Sequence, residues 1–164
     1  MTEMQIGDQT IRYDREATAA KYSAMEQGFV QACGCVFCRN FAVQRDVAYP
    51  PSFRAVVEQL GIDLNKEADA FEFAPVDDGC HLYGGGFVFA GELVTSGERN
   101  ATAADSHYFE YFFTTAGPTP DAFSEGARLR VEFTTHVKWV LAEDPEAARR
   151  SGIRPRDTPA DAPA

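Results

Sequence analysis

Past a short N-terminal strand, the spacing of apolar positions changes from a helical period before residue 62 to a strand period after residue 70. A short strand is expected at residues 10–13, with Ile11 and Tyr13 on one face. Asp14 then stands where a helix N-cap belongs, ahead of a helix over residues 15–26. Its apolar stripe of Ala17, Tyr22 and Met25, with Phe29 beyond, is loose, and Gly28 ends it. A second helix is expected over residues 38–49, with Val36, Val43 and Val47 sharing one face and Phe37 and Phe41 beside it; Pro50 and Pro51 stop it. The third is the most regular: Pro51 suits a first turn, Phe53, Val56, Val57 and Leu60 fall at i, i+3, i+4 and i+7, and Gly61 supplies a left-handed cap. From Phe71 onward the period is two. Phe71 and Phe73 alternate with Glu72, residues 81–94 form a longer strand broken by glycine, residues 106–115 are strongly aromatic, and residues 127–141 alternate almost without fault. In that last segment Leu129, Val131, Phe133, Val137 and Trp139 are expected to face a core, and Arg128, Arg130, Glu132, Thr134, His136 and Lys138 to face water.

Helices thus crowd the first half and strands the second, and no crossover helix separates the strands. Parallel pairing would need about a dozen residues per connection, so the expected fold class is α+β: N-terminal helices packed on one face of a four- to five-stranded, mainly antiparallel sheet. Residues 1–141 are expected to form a single domain. Residues 142–164 contain four prolines and Ile153 as their one branched aliphatic residue, and are expected to be a disordered tail.

Composition bounds the function classes. Among 164 residues, 45% are hydrophobic, and no run approaches the roughly 18 apolar residues of a membrane-spanning helix. The net charge is −10, and the tail, with five acids against four bases, carries only −1 of it. A phosphate-binding surface needs clustered Lys or Arg, so nucleic acid and membrane are not expected partners, and basic proteins are favoured. The first residues lack a basic region followed by an apolar core, so the cytoplasm is the expected compartment.

The four cysteines, Cys33, Cys35, Cys38 and Cys80, then read as reduced thiols or metal ligands rather than a disulfide framework. Three of them lie within six residues as C-x-C-x-x-C. Zinc needs three or four soft ligands in a tetrahedron, and the expected set for a structural ion is Cys33, Cys35 and Cys38 with Cys80 or His81 as the fourth, joining helix to sheet. Two alternatives stay open: thiols buried as small apolar side chains without metal, and a thiol-dependent redox protein using Cys35 and Cys38, with Arg39 and a helix N-terminus lowering a thiolate pKa.

The glycine run Gly84–Gly86 is followed by aromatic strand residues instead of a helix, so close packing at a bend is expected before phosphate binding; a pocket walled by Tyr83, Phe87 or Phe89 is the lesser alternative. Asp77 and Asp78 before Gly79 are turn chemistry. His107 and His136 have no catalytic partner spacing, and no nucleophile elbow, metalloprotease helix or calcium loop occurs. The expected function is a non-enzymatic binding module for a protein or small molecule. An acidic immunity-type domain that masks a basic protein is a further class, and a homodimer through an open sheet edge is compatible with the pattern.

Three segments, CGCVFCRNF, YPPSFRAVVEQLGID and HLYGGGFVFAGEL, in that order resemble an uncharacterised group of small bacterial proteins. The resemblance covers about residues 33–93 and extends to the closing strand that ends Trp139-Val140-Leu141. It implies one recurring domain and carries no activity onto any residue.

Overall fold

In the computed structural model, the described residues are 1–98, 101–103, 105 and 108–151. They form an α+β fold with a seven-stranded sheet whose pairings are all antiparallel. The strands are β1 (Thr2–Ile6), β2 (Gln9–Tyr13), β3 (Asp69–Pro75), β4 (Cys80–Thr95), β5 (Ala101–Thr102), β6 (Phe109–Thr114) and β7 (Arg128–Lys138). Their order is β1-β2-β4-β7-β6-β5, and β3 pairs with the first half of the same β4 edge whose second half takes β2. The expected four to five strands were too few. β1 is an edge strand with no residue fully buried, and β5 has two residues, so neither carries an apolar signal.

Among the described residues, five α-helices accompany the sheet: α1 (Arg15–Ala24), α2 (Phe29–Cys33), α3 (Val36–Ala48), α4 (Pro51–Leu60) and α5 (Pro145–Arg150). Two expected caps are present, but Gly28 does not end α1, which stops at Ala24 with Met25 as its C-cap; Gly28 is instead the N-cap of α2. The Asp14 carboxylate accepts the Ala17 N–H at 2.9 Å, and Gly61 closes α4 at φ +79°. Phe41, Tyr49 and Phe53 from the helical layer meet Phe87, Phe109 and Phe133 from the sheet, with Phe53 and Phe109 ring centroids 4.7 Å apart and Tyr49 edge-on to Phe133 at 5.3 Å. Edge-to-face and tilted rings fill the layer between helices and sheet, which is where the chain's apolar share is concentrated.

Helix α3 turns a different face inward from the one expected. Val43 and Val47 are 61% and 76% exposed, while Phe37, Asn40 and Phe41 are buried, because the rings bury more apolar surface than the valines could. The β3 parity is also inverted: Ala70 and Glu72 face the interior, and Phe73 is exposed, because Glu72 is paired with the buried His81 and the partly exposed Arg149. Arg130, expected on the wet face, is buried over Gly86 and pairs with Asp69 and Glu132. The sheet curls far enough that the buried Gln9 side chain of β2 exchanges two 2.8 Å hydrogen bonds with the backbone of Phe113 in β6, standing in for one more strand pairing.

The first part of the expected tail is structured. Residues 142–151 include α5, Arg149 pairs with the buried Glu72 and lies over the Phe37 ring, and Arg39 holds Glu143 at 2.6 Å. Asp144 caps this helix and Pro145 opens it, which a reading by apolar content overlooks. Residues 152–164 of the expected tail lie outside the described residues.

Candidate metal centre

The site is built on a helix-turn-helix reversal. Helix α2 ends at Gly34, whose φ of +60° is left-handed, and the next residue, Cys35, is already the N-cap of α3. An L-residue with a Cβ adopts this conformation at a cost, so glycine here is what allows Cys33 and Cys35 to flank a reversal of one residue. The turn is anchored from behind: Phe29 N–H donates to the Glu67 carbonyl at 2.9 Å, and the Gly28 backbone lies against Lys66 with no room for a Cβ. The fully buried Glu67 carboxylate in turn accepts two hydrogen bonds from Arg45 at 2.6 and 2.9 Å and one from Tyr49 at 3.0 Å, fixing this loop to α3.

The reversal brings the sulfurs of Cys33, Cys35 and Cys38 to within 4.8 Å of one another. Cys33 and Cys35 are half-buried and Cys38 is buried. The Cys35 sulfur accepts the backbone N–H of Cys38 at 3.5 Å, so an unpaired donor of the first helical turn is aimed at it. Its thiol is pushed down to about pKa 5, chiefly by the hydrogen bond from the Cys38 thiol, opposed by burial and aided by the Cys38 backbone N–H, Cys33 and the Phe37 backbone. Cys38 moves the opposite way: its proton is held against Cys35, and burial adds to the rise. Arg39, a candidate for this effect, directs its guanidinium to Glu143 instead.

The donor set fits a thiophilic cation. Zinc–sulfur bonds of about 2.3 Å in a tetrahedron separate sulfurs by roughly 3.8 Å, so a mutual spread within 4.8 Å needs about an ångström of side-chain adjustment at most. Three thiolates would hold the ion, and it would supply Lewis acidity or cross-linking at the α2–α3 junction.

Cys80 and His81 do not join the cluster. Both sit at the start of β4, where Cys80 pairs with Lys138 of β7. The His81 Nδ1 lies 2.7 Å from Glu72 Oε1, and its ring packs on Trp139 at 5.1 Å between centroids. His81 is therefore a buried partner of a buried carboxylate, completed by Arg149. Of the pair expected to offer a fourth ligand, His81 is taken by Glu72 through the β3–β4 pairing, and Cys80 is not among the sulfurs that converge within 4.8 Å. The sequence offered a faint signal for that partner, since Glu72 alternates with two phenylalanines in a strand.

The glycine run serves close packing. A Cβ on Gly84 would meet the Phe73 ring at 2.7 Å, on Gly85 the Asp69 carbonyl at 2.6 Å, and on Gly86 the Arg130 guanidinium at 2.6 Å. The lesser pocket reading does not hold, because Tyr83, Phe87 and Phe89 are all buried in the core. His136 stacks on Tyr108 at 4.2 Å, and His107 lies outside the described residues. No helix among the described residues is long and apolar enough to cross a membrane.

Comparison with known proteins gives no matching family model, no matching curated protein and no matching solved structure.

Proposed function

We propose that the domain is a metal-binding module in which Cys33, Cys35 and Cys38 hold one thiophilic cation, zinc in the first place, with the fourth coordination position left to an exogenous ligand. The observation that carries this reading is the convergence of the three sulfurs within 4.8 Å around a turn that only glycine accommodates without strain. Soft thiolate donors select zinc or other thiophilic ions over magnesium or calcium. Three protein ligands rather than four are the mark of an open site, where the ion can exchange or accept a further group, and binding also ties α2 to α3. Reduced thiols at this position suit a cytoplasmic setting.

The test uses the reduced, chelator-stripped full chain titrated with zinc against a chromophoric chelator. One equivalent per chain is expected, tight binding is lost in Cys38→Ser, and Cys80→Ser and His81→Ala bind as the parent does. Absence of stoichiometric binding would end the proposal, as would equal loss in Cys80→Ser.

A further inference from the structure

We propose that this site releases its metal through thiol–disulfide exchange: a low-molecular-weight disulfide oxidises Cys35 and Cys38 to an intramolecular disulfide and so removes two of the three ligands. The inference rests on the metal-binding reading and adds a means of discharge.

Accessibility sets the order of events. Cys38 is only 3% exposed, so a solvent-borne disulfide meets Cys35 or Cys33 first, both half-buried. Cys35 is the N-cap, with φ −66° and ψ 166°, outside the helical backbone, and Cys38 occupies the third position of the same first turn. Side chains three apart on a helix lie about 5–6 Å apart at Cβ, and a disulfide needs about 3.8 Å. Rotation of the extended N-cap residue can supply that approach within one turn. Cys33 belongs to α2 on the far side of Gly34, so closing it onto Cys38 would cross-link two helices, whereas Cys35 and Cys38 share one first turn, and Cys33 to Cys35 would strain a ring with a single intervening residue.

The chemistry balances. The Cys35 thiolate attacks one sulfur of the disulfide RSSR, forming a mixed disulfide and expelling RS⁻. Cys38, a thiolate while it is a ligand and deprotonated by solvent in the metal-free chain, then attacks the Cys35 sulfur, expelling the second RS⁻. Two electrons pass from the two protein sulfurs to RSSR, the two RS⁻ take up protons from water as their own pKa dictates, and the cation is left with Cys33 alone from its protein ligands. A single thiolate does not hold zinc against solvent, so the ion departs.

The experiment treats the zinc-loaded full chain and its metal-free form with glutathione disulfide, following free zinc with a chromophoric chelator and thiol state by peptide mass mapping. Expected are one equivalent of zinc released in step with a Cys35–Cys38 disulfide, the same disulfide in the metal-free chain, and in Cys38→Ser a stable glutathione adduct on Cys35. Cys33→Ser still forms the disulfide, which separates the exchange step from metal binding. A disulfide routed through Cys33, zinc retained after the disulfide forms, or an adduct that never resolves in the parent chain would overturn the inference. If the chain takes up no zinc yet forms the disulfide, the metal-binding reading fails and the release step fails with it, while the thiol exchange itself is retained.

Discussion

Replacing Gly34 with alanine isolates the turn on which the thiol cluster depends. Gly34 sits at φ +60° and ψ 8°, and a Cβ there would meet nothing nearer than the Gln31 carbonyl oxygen at 4.0 Å. The penalty is therefore conformational and not steric: about 1–2 kcal/mol for holding an L-residue in the left-handed region. For a chain of this size that corresponds to a fall in melting temperature of roughly 2–8 °C. Asparagine tolerates the same region better, so Gly34→Asn should fall between the parent and the alanine variant. If part of the penalty is relieved in the variant by letting the turn open, zinc affinity drops as well, by about tenfold for each 1.4 kcal/mol the metal must restore. The assay is a thermal melt of the metal-free chain paired with a competitive zinc titration for parent, Gly34→Asn and Gly34→Ala. Unchanged melting and unchanged affinity in the alanine variant would refute the left-handed reversal. A loss above about 4 kcal/mol would also refute it, because it would mean a clash that the backbone path does not contain.

Three further outcomes follow from the same geometry. With its thiol held near pKa 5, Cys35 stays ionised until the pH falls through about 5, so alkylation of the reduced, metal-free chain should remain fast at Cys35 near pH 6.5, where an ordinary thiol of pKa about 8.5 is almost fully protonated; peptide mapping at graded pH checks this, and a rate that rises only above pH 8 contradicts it. Arg45→Ala leaves the fully buried Glu67 carboxylate without its cation and should cost about 3–5 kcal/mol in denaturant unfolding, with a loss under 1 kcal/mol speaking against the buried pair. Gly86→Ala drives a Cβ to within 2.6 Å of the Arg130 guanidinium and 2.7 Å of the Val131 carbonyl, so it should destabilise the sheet by about 1–3 kcal/mol; a neutral result in the same unfolding assay would show that Arg130 does not cover that glycine.

The fold class was legible because two periods are written into different halves of the chain, and because proline and glycine mark the ends of α4 unambiguously. Where burial was carried by polar residues, the apolar pattern misled. Glu72 and Arg130 are buried because each finds a charged partner, Arg149 of α5 for Glu72 and Asp69 of β3 for Arg130, and a partner 77 or 61 residues away leaves no local trace. Val43 and Val47 misplaced the inner face of α3 for the converse reason, since valines at helical spacing resemble a core stripe until larger rings claim the interior. The thiol cluster was legible in its three local members, because C-x-C-x-x-C spans one turn and one helix start. Its supposed fourth member was not, because whether β4 meets that turn depends on the sheet register, and the register gives His81 to Glu72.

The central claim is that three thiolates from one turn, and no fourth side chain from β4, bind the metal. X-ray absorption at the zinc edge of the stoichiometrically loaded, reduced full chain tests it most directly. The account predicts three sulfur neighbours at about 2.3 Å and one nitrogen or oxygen neighbour at about 2.0–2.1 Å, unchanged in His81→Ala and Cys80→Ser. Four sulfur neighbours, with one lost in Cys80→Ser, would contradict it.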